Sequence, residues 1–130
     1  MAYVSLDSDQ IKKAHKKHKY SKTQVEQLEK CMDEKSGPLY FMKSFMKIQH
    51  PVKGSIPFHP FPYQERLISS YNDHRFSIAM LPRQTGKTTC ASGFLIWYAM
   101  FRPDSQILIA AHKYAGASDI MSRVRYAYEM

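Results

Sequence analysis

Two apolar runs joined by a Gly-Lys-Thr turn constrain this chain more than any other feature. Phe76-Ser77-Ile78-Ala79-Met80-Leu81 has the length and composition of a buried strand. Lys87 to Phe101 is an almost wholly apolar stretch without proline, as a buried helix requires. Between them lies Pro82-Arg83-Gln84-Thr85-Gly86, leading into Lys87-Thr88-Thr89. Gly86 lets the backbone turn tightly and approach an anion closely. The N–H groups that follow open a helix and point at phosphate oxygens. Lys87 is placed to reach the β and γ phosphates of a nucleotide, and the Thr88 hydroxyl to ligate Mg²⁺. Strand, loop and helix in that order are the setting a P-loop needs. Leu81 stands where the general GxxxxGK[ST] pattern has its first glycine. The competing reading is an ordinary loop that contains these three residues.

At 130 residues the chain holds one domain at most, and a complete P-loop core usually takes more. The chain is therefore read as the amino-terminal fragment of a longer protein, truncated before any Walker B segment. It carries 19 Lys and Arg against 11 Asp and Glu, a formal charge of +8, which favours an anionic partner such as nucleic acid. Part of that excess lies in a basic arm between Lys12 and Lys19, which reads as a solvated, helical or disordered segment. His15 and His18 in that arm lack the carboxylate or thiolate company of a metal site. Cys31 and Cys90 are far apart in helical patterns and suggest reduced thiols rather than a disulfide. No leader peptide and no membrane span are expected.

Ser21-Lys22-Thr23-Gln24 has capping-box spacing, and Val25, Leu28 and Met32 follow on one helical face. Ser36-Gly37-Pro38 ends that helix and opens another, from Leu39 to Ile48, whose aromatic and Met side chains read as core. His50 to Pro62 holds four prolines and reads as extended irregular chain, pinned by Phe58 and Phe61. A short helix from Pro62 to Tyr71 precedes the first strand. Beyond Phe101, Gln106 to Ala111 reads as a second buried strand, and the stretch from Gly116 as a helix with Ile120, Val124 and Ala127 on one face. The expected fold class is α/β: an incomplete P-loop parallel sheet of the RecA-like kind with helices, preceded by a helical amino-terminal region. The expected division is 1–37 as basic arm and helical lead-in, and 38–130 as the first part of the ATPase domain.

Four segments resemble one family, the large terminase subunit of tailed phages of the myovirus type. Leu39-Tyr40-Phe41, with Ile48-Gln49-His50-Pro51-Val52-Lys53-Gly54 and Ile56-Pro57-Phe58, is similar to the region before that family's nucleotide site. Phe61-Pro62-Tyr63-Gln64 resembles its adenine-recognition motif, and Arg83 to Thr89 its variant Walker A, in which Leu81 is ordinary. Ile107 to Lys113 resembles the strand and loop after the P-loop helix. The resemblance covers about 38–130.

The resemblance implies an ATP-binding part of a DNA-packaging motor, a P-loop hydrolase whose full-length form couples ATP hydrolysis to movement of viral DNA into a procapsid. It implies ATP and Mg²⁺ as cofactors. The implied nucleotide-binding residues are Tyr63, Gln64, Arg83, Gln84, Thr85, Gly86, Lys87, Thr88 and Thr89, with Arg83 and Lys87 catalytic and Thr88 on the metal. Gln64 has both donors and acceptor for an adenine edge. Arg83 can meet charge on the transferring phosphoryl, or be a surface residue of an exposed loop. Gln84 and Thr85 shape the loop. The implied partners are double-stranded DNA, a portal protein, a small terminase subunit and further copies in a ring on the portal, in the host cytoplasm. Two other readings stay open: a helicase-type ATPase acting on nucleic acid, and a truncated, non-catalytic binding module.

Overall fold

Ser21 opens the first helix as the residue spacing requires. Its hydroxyl accepts from the Gln24 amide at 3.3 Å, and the Gln24 side chain accepts from the Ser21 amide at 2.9 Å. In the computed structural model, residues 20–50 and 52–129 are described, so expectations about the basic arm and its histidines lie outside the described residues. Helix α1 spans Lys22–Met32, α2 Gly37–Ser44, α3 Pro62–Asp73, α4 Lys87–Phe101 and α5 Tyr114–Glu129. Strands β1, Lys47–His50, and β2, Gly54–Pro57, lie between α2 and α3.

Helix α4 is the centre, and α2, α3 and α5 pack on it. Its all-round apolar sequence suits that position, although the last turn, Tyr98 to Met100, stays exposed. Trp97 and Cys90 on α4, Met42 on α2, Ile68 on α3 and Cys31 on α1 are fully buried. Aromatic rings extend this core: Phe94 and Phe101 flank Trp97 at centroid distances of 5.7 and 6.5 Å, and Phe41 meets Phe101 at 5.7 Å. The Trp97 indole N–H donates to the Cys31 carbonyl at 2.7 Å and ties α4 to the end of α1. Phe58 is buried as expected, whereas Phe61 is exposed and stacks on Tyr63 with centroids 5.9 Å apart. Val25, Leu28 and Met32 are exposed; Cys31 is the residue α1 buries.

Four expectations are corrected. The helix expected over 39–48 stops at Ser44, and Lys47 and Ile48 belong to β1. The strand pairs antiparallel with β2, Ile48 opposite Ile56 and His50 opposite Gly54, so the chain expected to be irregular holds a hairpin. Gly54 turns at φ 69°, a conformation only glycine adopts freely, and the His50 imidazole accepts from the Val52 and Lys53 amides at 3.2 Å each. The other two corrections concern the sheet. Phe76–Leu81 and Gln106–Ala111 run extended but form no ladder, and among the described residues the only sheet is the two-stranded hairpin. Nor are the two segments buried: Ile78 is 96% exposed, Met80 92% and Leu108 91%. The physical reason is what each segment rests on. Residues 77–81 lie along α3, while Ile107 and Ile109 face α4 and α5. Held against different helices, neither segment pairs with a strand among the described residues, and a strand without neighbours leaves its backbone groups unpaired.

Candidate functional site

The turn between Pro82 and Lys87 is shaped by two consecutive demands on the backbone. Gln84 and Gly86 both take left-handed conformations, φ 61° and 76°. That conformation is free for glycine and costs roughly 1 kcal/mol for glutamine. A second constraint acts on Gly86: a Cβ there would lie 2.6 Å from the Gln64 amide nitrogen. Glycine is thus favoured by angle, and a side chain there would push the Gln64 amide off the Thr85 carbonyl. Thr85 closes the turn on itself, its hydroxyl donating to the Pro82 carbonyl at 3.0 Å.

Helix α4 begins at once. Its first intrahelical bond is from Cys90 N–H to Gly86 C=O at 2.9 Å, so the N–H groups of Lys87, Thr88 and Thr89 have no partner within the helix. These three N–H groups and the positive end of the helix dipole make an oxyanion-receptive corner. The Lys87 ammonium lies back over the turn, donating to the Leu81 carbonyl at 2.6 Å and the Pro82 carbonyl at 3.0 Å. An ammonium has three donors, so one remains for a ligand. The hydroxyls of Thr88 and Thr89 make no hydrogen bond with other described residues. Arg83 is exposed on the outside of the turn and forms neither a hydrogen bond nor an ion pair with them.

The amino end of α3 supports this turn from beside it. Tyr63 Oη donates to the Thr85 carbonyl at 3.0 Å, and Gln64 Nε2 donates to the same carbonyl at 3.1 Å. Gln64 Oε1 accepts from the Phe61 amide at 2.9 Å, closing the first turn of α3. Gln64 is 6% exposed, so most of its amide is committed to structure. One Nε2 proton and one Oε1 lone pair remain. The structure therefore brings Tyr63, Gln64, Thr85, Gly86 and Lys87 together, and leaves Arg83 and Gln84 at the solvent side. The role of the Thr85 and Pro82 carbonyls as anchors is not legible in the motif, because side-chain types say nothing about main-chain acceptors.

An oxyanion with a bound cation fits this corner in part. The glycine that a Cβ would obstruct, three unpartnered N–H groups and the spare Lys87 donor suit a polyphosphate. A divalent cation would find the Thr88 hydroxyl but no carboxylate cluster, since among the described residues no three His, Cys, Asp or Glu side chains converge. Ligand phosphate oxygens and water would have to complete its shell.

Fold and site together define a class: a protein of helices with a small antiparallel hairpin, compatible with α/β, in which a glycine turn and a lysine open the central helix. Residues 78–130 match the family model described as terminase large subunit, T4likevirus-type, N-terminal. The matched stretch contains the turn, α4, the second extended segment and α5, and over it the resemblance to a myovirus-type large terminase is shown. No helix among the described residues is long and apolar enough to cross a membrane.

Proposed function

We propose that this chain is the nucleotide-binding portion of a viral DNA-packaging motor subunit, with Mg²⁺-ATP as its ligand at the turn before α4. The broader assignment, a component of phage DNA packaging, rests on the family match at 78–130. The finer one rests on a single observation. The helix N–H groups left open at Lys87, Thr88 and Thr89 lie behind a glycine in the left-handed conformation, where a side chain would displace the Gln64 amide.

In this reading the three N–H groups bind phosphate oxygens, and Lys87 gives its third donor to the same group. Exchange of its bonds to Leu81 and Pro82 for phosphate would let the ammonium move from the turn to the ligand. The Thr88 hydroxyl would hold the cation. ATP supplies the γ-phosphoryl that water displaces in line. Arg83, exposed and free to swing, can meet the charge that develops during transfer. Gln64 and Tyr63 hold the Thr85 carbonyl and so fix the turn, and the unused half of the Gln64 amide is available to an adenine edge. DNA, a portal protein, a small subunit and a ring of copies belong to the same reading.

The test separates binding from turnover. Fluorescent ATP analogue binding to the 130-residue chain should weaken by about tenfold or more in Lys87→Ala, as a charge-assisted contact to phosphate is lost. In the full-length parent, Arg83→Ala should lower kcat more than it weakens binding. Equal affinity of Lys87→Ala and wild type would remove the nucleotide from this turn.

A further inference from the structure

A second cavity lies on the other flank of α4, away from the Gln64 side of the turn. It measures about 330 Å³ and is walled by β1, α4 and α5. Its polar lining comes from all three: Lys47 and Gln49 from β1, Thr89 and Ser92 from α4, Asp119 and Arg123 from α5. Met46, Ile48 and Tyr126 supply an apolar wall.

Ser92 marks this cavity as more than a packing defect. It is 1% exposed, and its hydroxyl has no hydrogen-bond partner. A buried hydroxyl without a partner costs about 1–3 kcal/mol. Here the orphaned group lines a cavity whose charged groups are two cations and one carboxylate. Arg123 uses only Nε on Asp119, at 3.1 Å, which leaves both terminal nitrogens. Lys47 adds a second cation, and Thr89 contributes a hydroxyl with no partner among the described residues. Against these stands one carboxylate, already paired. The surplus of positive charge calls for an acceptor with negative charge, and the apolar wall calls for a body attached to it.

We propose that this cavity is a binding site for a small ligand carrying an oxyanion, a phosphate monoester on an apolar or aromatic body. Arg123 and Lys47 meet the charge, and the hydroxyls of Ser92 and Thr89 donate to its oxygens. The volume is that of a small-ligand pocket. Thr89 lies one residue beyond Thr88, so a ligand here touches the first turn of the helix that opens at the Gly86 corner. The site shares only Thr89 with the Gly86 corner, here through its hydroxyl rather than its N–H, and uses neither Lys87 nor Gly86.

The experiment uses the whole 130-residue chain carrying Lys87→Ala, which takes the ammonium away from the other anion-receptive corner. Phenyl phosphate and inorganic phosphate are titrated separately, followed by amide ¹H–¹⁵N shifts. Saturating shifts at Ser92 and Arg123 are expected, with phenyl phosphate tighter than inorganic phosphate. Arg123→Ala, an exposed change that leaves packing intact, should weaken phenyl phosphate by about tenfold. Ser92→Ala should weaken it by roughly fivefold without lowering the melting temperature, since it removes an unpartnered hydroxyl. Absence of saturating shifts at these residues overturns the site and leaves the Gly86 corner untouched. So does unchanged affinity in either variant, and so does binding by wild type that Lys87→Ala abolishes.

Discussion

Cys90 sits on the buried side of α4, and burial pushes its thiol from the ordinary 9.0 up to about 11. Burial likewise raises the Tyr71 hydroxyl, with a further push from the nearby Cys90. The sign of the linkage follows from which state holds the proton. Below pH 9 both folded and unfolded thiols are protonated, and stability does not change through this group. Between about 9 and 11 the unfolded thiol ionises first, so folding loses on the order of 1.4 kcal/mol per pH unit at most. Urea denaturation midpoints should therefore be flat from pH 7 to 8.5 and fall above 9. The Cys90→Ala variant should show a shallower fall, because only the buried Cys31 thiol and the Tyr71 hydroxyl, both raised by burial, then contribute. An equally steep fall in that variant would place the loss elsewhere. At the same scale, Gln64 shows how a residue type can be read correctly and incompletely. Its amide suits an adenine edge by composition, yet half of that amide is bound to Phe61 and Thr85.

At the scale of elements, the cap of α1 and the core of α4 stand out as the parts local rules specify. Ser21 with Gln24 is a local device, and spacing alone reveals it. The apolar run 87–101 became a helix with the expected bounds, because its length excludes a strand and its composition excludes solvent. What the run could not reveal is the partner of Trp97. The indole N–H reaches the Cys31 carbonyl, 66 residues earlier in the chain. Trp97→Phe should cost about 2–4 kcal/mol, as it opens a cavity and leaves that buried carbonyl unpaired. Chemical denaturation of the purified chain measures it; a cost under 0.5 kcal/mol would mean the end of α1 is loosely held.

For the whole molecule, the distribution of charge and apolar surface governs behaviour. The described residues leave Phe76, Ile78, Met80 and Leu108 exposed along two extended segments with unpaired backbones. Such edges associate readily. The catalytic inventory is also thin near the turn: Asp73 ends α3 and Asp104 lies in the turn after α4, and neither is part of the Gly86 corner. The isolated chain is expected to release phosphate from ATP slowly or not at all, even where it binds nucleotide, because water positioning needs a carboxylate beside the γ-phosphate. A steady-state phosphate-release assay with Lys87→Ala as the contamination control checks this. Robust turnover that vanishes in the control would show that a carboxylate within the chain reaches the site.

The sequence by itself determined three helix features and the turn: the Ser21 cap, the proline start of α3, the apolar length of α4, and Gly86 before Lys87. Each rests on interactions within a few residues, where spacing and side-chain type suffice. Only the tertiary structure decided the rest. It placed Tyr63 and Gln64 on the Thr85 carbonyl, gathered Ser92 and Arg123 around one cavity, and formed a hairpin where four prolines suggested irregular chain. It also left the two expected strands without a ladder. A helix satisfies its own backbone, so its sequence can announce it; a parallel strand is satisfied only by neighbours distant in sequence, and apolar composition alone cannot supply them.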